Sequence, residues 1–202
     1  MGGFPEPLGF IGKDYQRFYI HYTAIIKDAK NHYRYNVQGK TKVKDHILHV
    51  SRTITVVKAV IYNDKNKEFP DYSEGKVECI VDFREDKRQR GSGRIKGKLI
   101  SNWYLDKKNK IQYNILNGGA DGFDNNQCTA TWTSYSFGKI KKCNWGDFRI
   151  PESGNLDIGA GEFYVNKKYA NNAWQNYNLL TGDERSDKVR RAKAEEECKW
   201  WQ

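Results

Sequence analysis

The feature that most constrains the fold is a regular alternation of apolar and polar residues between positions 94 and 105. Ile95, Leu99 and Trp103 recur on one side of this segment, and basic or polar residues fill most of the other. Because successive side chains of a β-strand point to opposite faces, this period of two predicts a strand with one buried face. Gly97 falls on the apolar face, which indicates a close backbone approach or strong coiling of the sheet.

Similar alternation recurs between residues 15 and 165, in segments separated by short turns. The segment 47–62 is long for a single strand and predicts a bulge or a sharp bend. About eight to ten such strands, joined mostly by hairpin turns, favour an all-β fold in the form of an antiparallel up-and-down barrel. A β-sandwich is the alternative. We expect the last strand at 161–165.

The chain is expected to form one domain, since all-β barrels and sandwiches often reach this length undivided. Its parts are an irregular N-terminal arm at 1–12, the barrel at 13–180 and a C-terminal helix at 181–202. Thr181 and Glu184 match a capping box, which predicts that this helix runs from about 182 to 199. Its apolar content is slight, so it either packs across the sheet edge or projects as a tail.

This arrangement of strands followed by a final helix resembles the calycin group, which includes lipocalins, fatty-acid-binding proteins and avidins. The Gly-x-Trp motif that is usual near the first strand of that group does not occur at this position. The resemblance therefore concerns the order of the elements and implies a barrel.

The most site-like cluster lies between residues 144 and 162. Asp147 and Arg149 share a face by period two and could pair beside Trp145. One interpretation is an aromatic plug with a salt bridge that seals one end of the barrel. The other is a non-enzymatic binding protein, in which Arg149 contacts the acidic head group of a small molecule. The ligand cavity would be lined by three tryptophans, namely Trp103, Trp132 and Trp145.

A hydrolase is a further hypothesis. Asp147, Asp157 and Glu162 could supply the two facing carboxylates that a glycosidase needs. No Gly-x-Ser-x-Gly elbow or similar motif supports a hydrolase. The glycine-rich segment 91–93 is not a dinucleotide-binding loop either, because it leads into a strand rather than into a helix. We expect neither a metal nor a cofactor. His46 and His49, for example, are three positions apart on a strand and point to opposite faces.

The charge of the chain suggests an alternative partner. With 35 basic and 25 acidic residues, the net charge is +10. This charge is compatible with solubility alone, and also with a polyanion such as nucleic acid or an acidic glycan. The candidate polyanion-binding residues cluster in one part of the chain and are Arg84, Lys87, Arg88, Arg90, Arg94 and Lys96.

Hydropathy gives the expected compartment only coarsely. No apolar run approaches the ~20 residues of a membrane-spanning helix, and no signal-peptide core follows Met1. We expect a soluble protein that is either cytoplasmic or secreted or periplasmic after removal of a signal. The sequence leaves the oligomeric state open.

The four cysteines are widely spaced and show no zinc-binding pattern. A four-residue loop at 134–137 would place Cys128 directly opposite Cys143 on a hairpin, which allows a disulfide. The alternative is that both are buried free thiols.

Overall fold

The computed structural model describes residues 6–64 and 66–202, and in this part of the chain it contains one antiparallel sheet of ten strands. The sheet curls into a half-barrel. Its strands are β1 (Leu8–Ile11), β2 (Gln16–Arg17), β3 (Tyr19–Lys27), β4 (Arg34–Val43), β5 (His46–Ile61), β6 (Ser73–Glu85), β7 (Gly93–Leu105), β8 (Ile111–Tyr113), β9 (Asn125–Ser134) and β10 (Ile140–Asp147). Two short helices follow, α1 (Gln175–Leu179) and α2 (Asp187–Glu196). The all-β, antiparallel prediction is confirmed, and the β-sandwich alternative is wrong because these strands share one sheet.

Neighbouring strands in the sheet are mostly neighbours in sequence, as in an up-and-down barrel. The order is β2-β1-β10-β9-β7-β6-β5-β4-β3, with β8 paired to the end of β7. At one end the two edges of the sheet approach each other, because the amide of Phe18, just before β3, donates to the carbonyl of Gly9 in β1 at 2.9 Å. This contact bends the open sheet toward closure.

Two predictions about the ends of the sheet are wrong. The expected irregular arm contains β1, which pairs with β10 and buries Phe10 and Ile11; residues 1–5 of that arm lie outside the described part of the chain. The expected strand at 161–165 forms a single bridge between Val165 and Asp157. Its apolar residues instead pack in a second core cluster beneath Trp174.

The inner face of the sheet follows the predicted alternation. Ile95 and Leu99 of β7 are buried, whereas Lys96 and Lys98 between them are exposed on the other side. A Cβ atom added to Gly97 would collide with the carbonyl of Thr129 and with the side chain of Ala130, so the close backbone approach is confirmed. The predicted irregularity of the long strand is also confirmed, since its register against β6 shifts after Val56.

The centre of the half-barrel is filled by a group of aromatic rings, the aromatic plug, formed by Phe18, Tyr22, Phe83 and Trp145. Trp145 is 1% exposed, and its ring centroid lies 5.9 Å from that of Phe18 and 6.4 Å from that of Phe83. Its indole N–H donates to the hydroxyl of Tyr22 at 3.2 Å. A buried indole with a satisfied N–H both packs and fixes its neighbours. The plug therefore separates the two ends of the concave face.

The C-terminal helix packs against the sheet instead of projecting from it. Val189 and Ala192 of α2 are buried, and Glu196 accepts a hydrogen bond from Arg17 of β2 at 2.8 Å. The predicted capping box is wrong, because the hydroxyl of Thr181 donates to the carbonyl of Asn178 and Asp183 accepts from the backbone and the guanidinium of Arg185. That local turn delays the start of the helix to Asp187.

Candidate functional site

A cavity opens on the concave face of the sheet, on the side of the aromatic plug away from Trp132. It has two adjoining lobes that share lining residues, of about 500 Å³ and about 430 Å³. The first, the Asp147 lobe, includes Tyr22 and Trp145 of the plug in its wall. The second, the Trp103 lobe, extends along β5, β6 and β7. The residues common to both are Ile25, Ile54, Leu99, Tyr113 and Asn126.

The walls of the cavity are a direct product of the alternating sequence. Inward-facing positions of three neighbouring strands carry apolar side chains in register, such as Val56 of β5 opposite Cys79 of β6, which in turn lies opposite Leu99 of β7. Paired residues of antiparallel strands lie on the same face, so these side chains form one continuous surface. The cavity is thus mostly apolar, as ligand sites usually are.

Asp147, the last residue of β10, is the main polar group in this apolar setting. It is 1% exposed. The hydroxyl of Tyr113 donates to its Oδ2 atom at 2.8 Å, and the side-chain amide of Asn126 donates to the same atom at 2.6 Å. Among the described residues none donates to Oδ1, although the side chain lines the cavity. One carboxylate oxygen is therefore held in place by two donors, whereas the other has no donor among these residues.

The supports of Asp147 are themselves fixed by a buried amide. Asn125 is fully buried, accepts from the backbone N–H of Asn102 at 2.7 Å and donates to the carbonyls of Asn102 and Asn114. These bonds tie β9 to β7 and to the residue after Tyr113. The next residue, Asn126, has a φ of 48°, a left-handed conformation that asparagine adopts more readily than most residues. The segments that carry Tyr113 and Asn126, the two donors to Asp147, are therefore held in position by the fold.

Burial dominates the electrostatics of the carboxyl group. It raises the pKa of Asp147 to about 6, against the opposing effect of the hydrogen bonds from Tyr113 and Asn126. Burial, followed by the charge of Asp147, also raises the pKa of Tyr113, which stays a donor. At neutral pH the site therefore holds an ionised carboxylate in an apolar cavity.

The surroundings of Asp147 increase the negative character of the cavity. Glu6 lines the same lobe and lies close enough to raise the pKa of Asp147 further. Its carboxylate is 2.8 Å from Nδ1 of His21. No lysine or arginine is among the described residues that line either lobe. A chain with a net charge of +10 thus carries a cavity that suits a cation or a hydrogen-bond donor.

The structure brings together two of the three tryptophans predicted to line a cavity. Trp145 forms part of the Asp147 lobe and Trp103 part of the other. Trp132 lies beyond the plug, in a separate pocket of about 420 Å³, and its indole N–H donates to Glu85 at 2.9 Å. The prediction of one cavity lined by all three is therefore wrong, because the plug stands between them.

Arg149 does not reach the cavity, and the predicted pair with Asp147 is wrong. Phe148 between them has a φ of 65°, and the amide of Arg149 donates to the carbonyl of Asp147 at 2.8 Å. This tight turn breaks the period of two. The guanidinium instead contacts Asp157, with Nε 3.1 Å from Oδ2, and also binds the carbonyl of Gly161. Arg149 thus holds together the segment that follows β10.

The three carboxylates of the hydrolase hypothesis do not face one another. Asp157 is engaged by Arg149 and by the backbone amides of Gly159 and Tyr164. Glu162 is exposed and lines a small pocket of about 240 Å³ together with Arg149. Asp147 alone of the three lines the concave cavity.

The predicted polyanion residues are divided between several settings. Arg88 and Arg94 form two-pronged ion pairs with Asp86 and Asp82. Arg90 lines the pocket beside Trp132. The remaining three are Arg84 and Lys87, which line a groove on the convex face, and Lys96, which is exposed on that face. The six residues, although close in sequence, therefore do not form one surface.

The predicted disulfide is also wrong, and the free-thiol alternative is confirmed. The loop between β9 and β10 is longer than expected, so Cys128 pairs with Trp145 and Cys143 falls two positions away. Both are buried free thiols, as is Cys79, whose pKa burial raises to about 11.

Replacing Asp147 by asparagine is expected to stabilise the fold at neutral pH. An aspartate ionises near pH 4 in the unfolded chain and this one at about pH 6 in the folded chain, so the stability it contributes falls as pH rises between these values. Each unit of difference is worth about 1.4 kcal/mol, which limits the gain to about 3 kcal/mol. Because the new amide N–H₂ needs partners, we expect about 1–2 kcal/mol.

Denaturant unfolding of both proteins at about pH 7.5 and about pH 4 measures this effect. At about pH 4 the gain should disappear, because the carboxyl group of Asp147 is then protonated in the folded wild-type protein and no longer carries a buried charge. An equal difference at both values would show that the substitution acts through packing and not through charge.

Comparisons with protein-family models, with curated proteins and with solved structures gave no match to this chain. Within residues 6–64 and 66–202, no helix is both long and apolar enough to cross a bilayer. Within the same ranges, no group of three or more histidine, cysteine, aspartate or glutamate side chains is arranged to hold a metal ion.

Proposed function

We propose that this protein binds a small, mostly apolar molecule in the concave cavity and that Asp147 binds a cationic or hydrogen-bond-donating group of that molecule. The observation that carries the proposal is the geometry of Asp147. A buried carboxylate is costly unless it is paired, and here the two side-chain donors are spent on Oδ2. A ligand ammonium at Oδ1 would complete the pairing.

The size and the walls of the cavity support a ligand of this kind. Sites for small molecules usually occupy roughly 300–1,000 Å³ and combine apolar walls with a few placed polar groups. The two lobes fall within this range. At the rim, Ile25 and Ile111 are 52% and 71% exposed. Such apolar side chains gain from contact with the hydrocarbon part of a ligand.

The proposal changes the head group that the sequence pattern suggested. An acidic head group depended on Arg149, whose guanidinium is bound to Asp157. The likeness to the calycin group is retained only as a proposed mode of binding, with the ligand enclosed by a curved antiparallel sheet. Binding without catalysis remains the proposed activity.

Titration with dodecylamine, dodecanol and dodecanoate tests the proposal, because the three probes differ only in the head group. Trp103 and Trp145 line the cavity and provide a fluorescence signal. At about pH 7.5 we expect the amine to bind about tenfold or more tightly than the acid, which corresponds to one charge-assisted contact. Below about pH 6 the affinity for the amine should fall as Asp147 becomes protonated.

The variant Asp147→Asn should lose the preference for the amine while it still binds the alcohol. Glu162→Gln is the matched control, because it removes an exposed carboxylate that lies outside the cavity. Unchanged amine binding by Asp147→Asn, or tighter binding of dodecanoate than of dodecylamine to the wild type, would contradict the proposed function.

A further inference from the structure

A groove lies on the convex face of the sheet, on the opposite side from the concave cavity, and is called the convex groove. Its volume is about 690 Å³. Its lining includes four lysine or arginine side chains and one tyrosine, namely Lys40, Arg52, Arg84, Lys87 and Tyr135. The groove collects residues from β4, β5 and β6 and from the turns that follow β6 and β9.

The strand register explains why these side chains meet. Lys40 of β4 pairs with His49 of β5, and Ser51 of β5 pairs with Arg84 of β6. Residues in paired positions lie on the same face of an antiparallel sheet. Lys87 then follows in the turn, with its ammonium group 5.0 Å from the ring centroid of Tyr135. The cations therefore share one surface although they are distant in sequence.

Two polar atoms in this groove are buried without a hydrogen-bond partner among the described residues. They are Nε of Arg84 and the hydroxyl of Tyr135. A buried donor without a partner is unfavourable, and native proteins contain few of them. Arg84 and Tyr135 also interact electrostatically. Burial raises the pKa of Tyr135, and the positive charge of Arg84 partly opposes this by lowering it. Both unsatisfied donors thus belong to one site.

Arg52 reaches the groove through an unusual backbone conformation. It lies between Val50 and Ile54, which are buried on the concave face, so a regular strand would direct its side chain inward as well. Its φ is 127°, a region that favours glycine. The side chain is exposed and lines the convex groove. Strain of this kind is often found at binding sites.

Two acidic residues, Glu85 and Asp86, also line the groove, and both carboxylates are engaged by other groups. Glu85 directs its carboxylate to the concave side, where it accepts from Thr41 at 2.7 Å and from the amide of Gly93 at 2.8 Å. Asp86 forms a two-pronged ion pair with Arg88. Among the described residues, no carboxylate forms an ion pair with Lys40, Arg52, Arg84 or Lys87. Asp82 is paired with Arg94, which chiefly lowers its pKa, and Arg84 adds the smallest of the lowering effects.

We propose that the convex groove binds a phosphate group. The guanidinium of Arg84, the hydroxyl of Tyr135 and the ammonium of Lys87 are donors of the kinds that phosphate oxygens accept, and arginine is well suited to this role. The group belongs either to a small phosphorylated compound or to a nucleic-acid backbone. Both present the same oxygens to the groove.

Calorimetric titration with inorganic pyrophosphate at low salt tests the proposal on the full chain. Arg84→Gln should weaken binding about tenfold or more, because it removes a charged donor. Lys87→Gln should weaken it by about threefold or more, and this lysine is exposed, so that variant is expected to fold normally. Lys96→Gln is the matched control, since it removes an exposed lysine of the same face outside the groove and should change binding less than about twofold.

Three results would overturn the proposal. They are undetectable pyrophosphate binding to the wild type, wild-type affinity in a folded Lys87→Gln variant, and an equal loss in the Lys96→Gln control. A parallel titration with a short oligothymidylate identifies the source of the phosphate. Tighter binding with a steep salt dependence indicates a nucleic-acid backbone, whereas affinity equal to that of pyrophosphate indicates a small phosphorylated compound.

Discussion

Replacing Trp145 by alanine is expected to lower the free energy of unfolding by about 3–5 kcal/mol, the usual range for removing a buried tryptophan. The indole is 1% exposed and lies between the rings of Phe18 and Phe83. Its loss leaves a cavity in the plug and deprives the hydroxyl of Tyr22 of its donor. Equilibrium unfolding in urea, followed by circular dichroism, measures the change.

The matched control for this prediction is Trp103→Ala. Trp103 also points to the concave side, but it is partly exposed in the wall of the cavity. We expect a loss of about 1 kcal/mol, typical of substitutions outside a fully packed core. If the two variants were equally stable, Trp145 would not be the centre of the core, and the division of the concave face by the plug would be incorrect.

Replacing Glu196 by alanine is expected to destabilise the docking of α2 by about 3–5 kcal/mol, the range for removal of one partner from a buried ion pair. Arg17 is 3% exposed, and Glu196 is the carboxylate that its Nη2 atom contacts. Its guanidinium carbon lies 4.2 Å from the ring centroid of Trp174. Its Nε and Nη1 atoms have no partner among the described residues. Without Glu196 the buried cation is poorly compensated.

Hydrogen exchange measures this effect locally. Amides of α2 should exchange much faster in Glu196→Ala, while those of β6 and β7 should keep their protection, because the core of the sheet does not depend on the helix. Glu195→Ala is the control, since Glu195 is the exposed neighbour on the same helix. Equal exchange in the two variants would mean that α2 is held by Val189 and Ala192 alone.

Local alternation was sufficient to predict most of the sheet. A period of two is a property of each strand separately, and turns between consecutive strands leave few ways to connect them. The segment around Gly97 and the irregular long strand were therefore predicted correctly from the sequence. The four-residue strand β1 was missed, because it is too short to show a period and is recognisable only by its pairing with β10.

The candidate site was predicted in part. Trp145 and Asp147 both belong to it, because their positions follow from the strand that carries them. The error over Arg149 came from the conformation of a single residue, Phe148, which no pattern of polar and apolar residues reveals. The error over the disulfide came from the length of one loop.

The partners of Asp147 could not have been predicted from local pattern. Tyr113 lies on the three-residue strand β8 and Asn126 at the start of β9, and tertiary structure alone brings them within hydrogen-bond distance of one carboxylate oxygen. The one sequence signal is the run of asparagines at 125–126, which is unusual at the start of a strand because asparagine is disfavoured there.

The structure of the complex with dodecylamine tests the central claim most directly. The account predicts that the ammonium nitrogen lies within hydrogen-bond distance of the carboxylate of Asp147 and that the alkyl chain runs along Ile54 and Leu99. An alkylamine bound elsewhere, for example in the pocket beside Trp132, with the Asp147 lobe left without ligand, would contradict it.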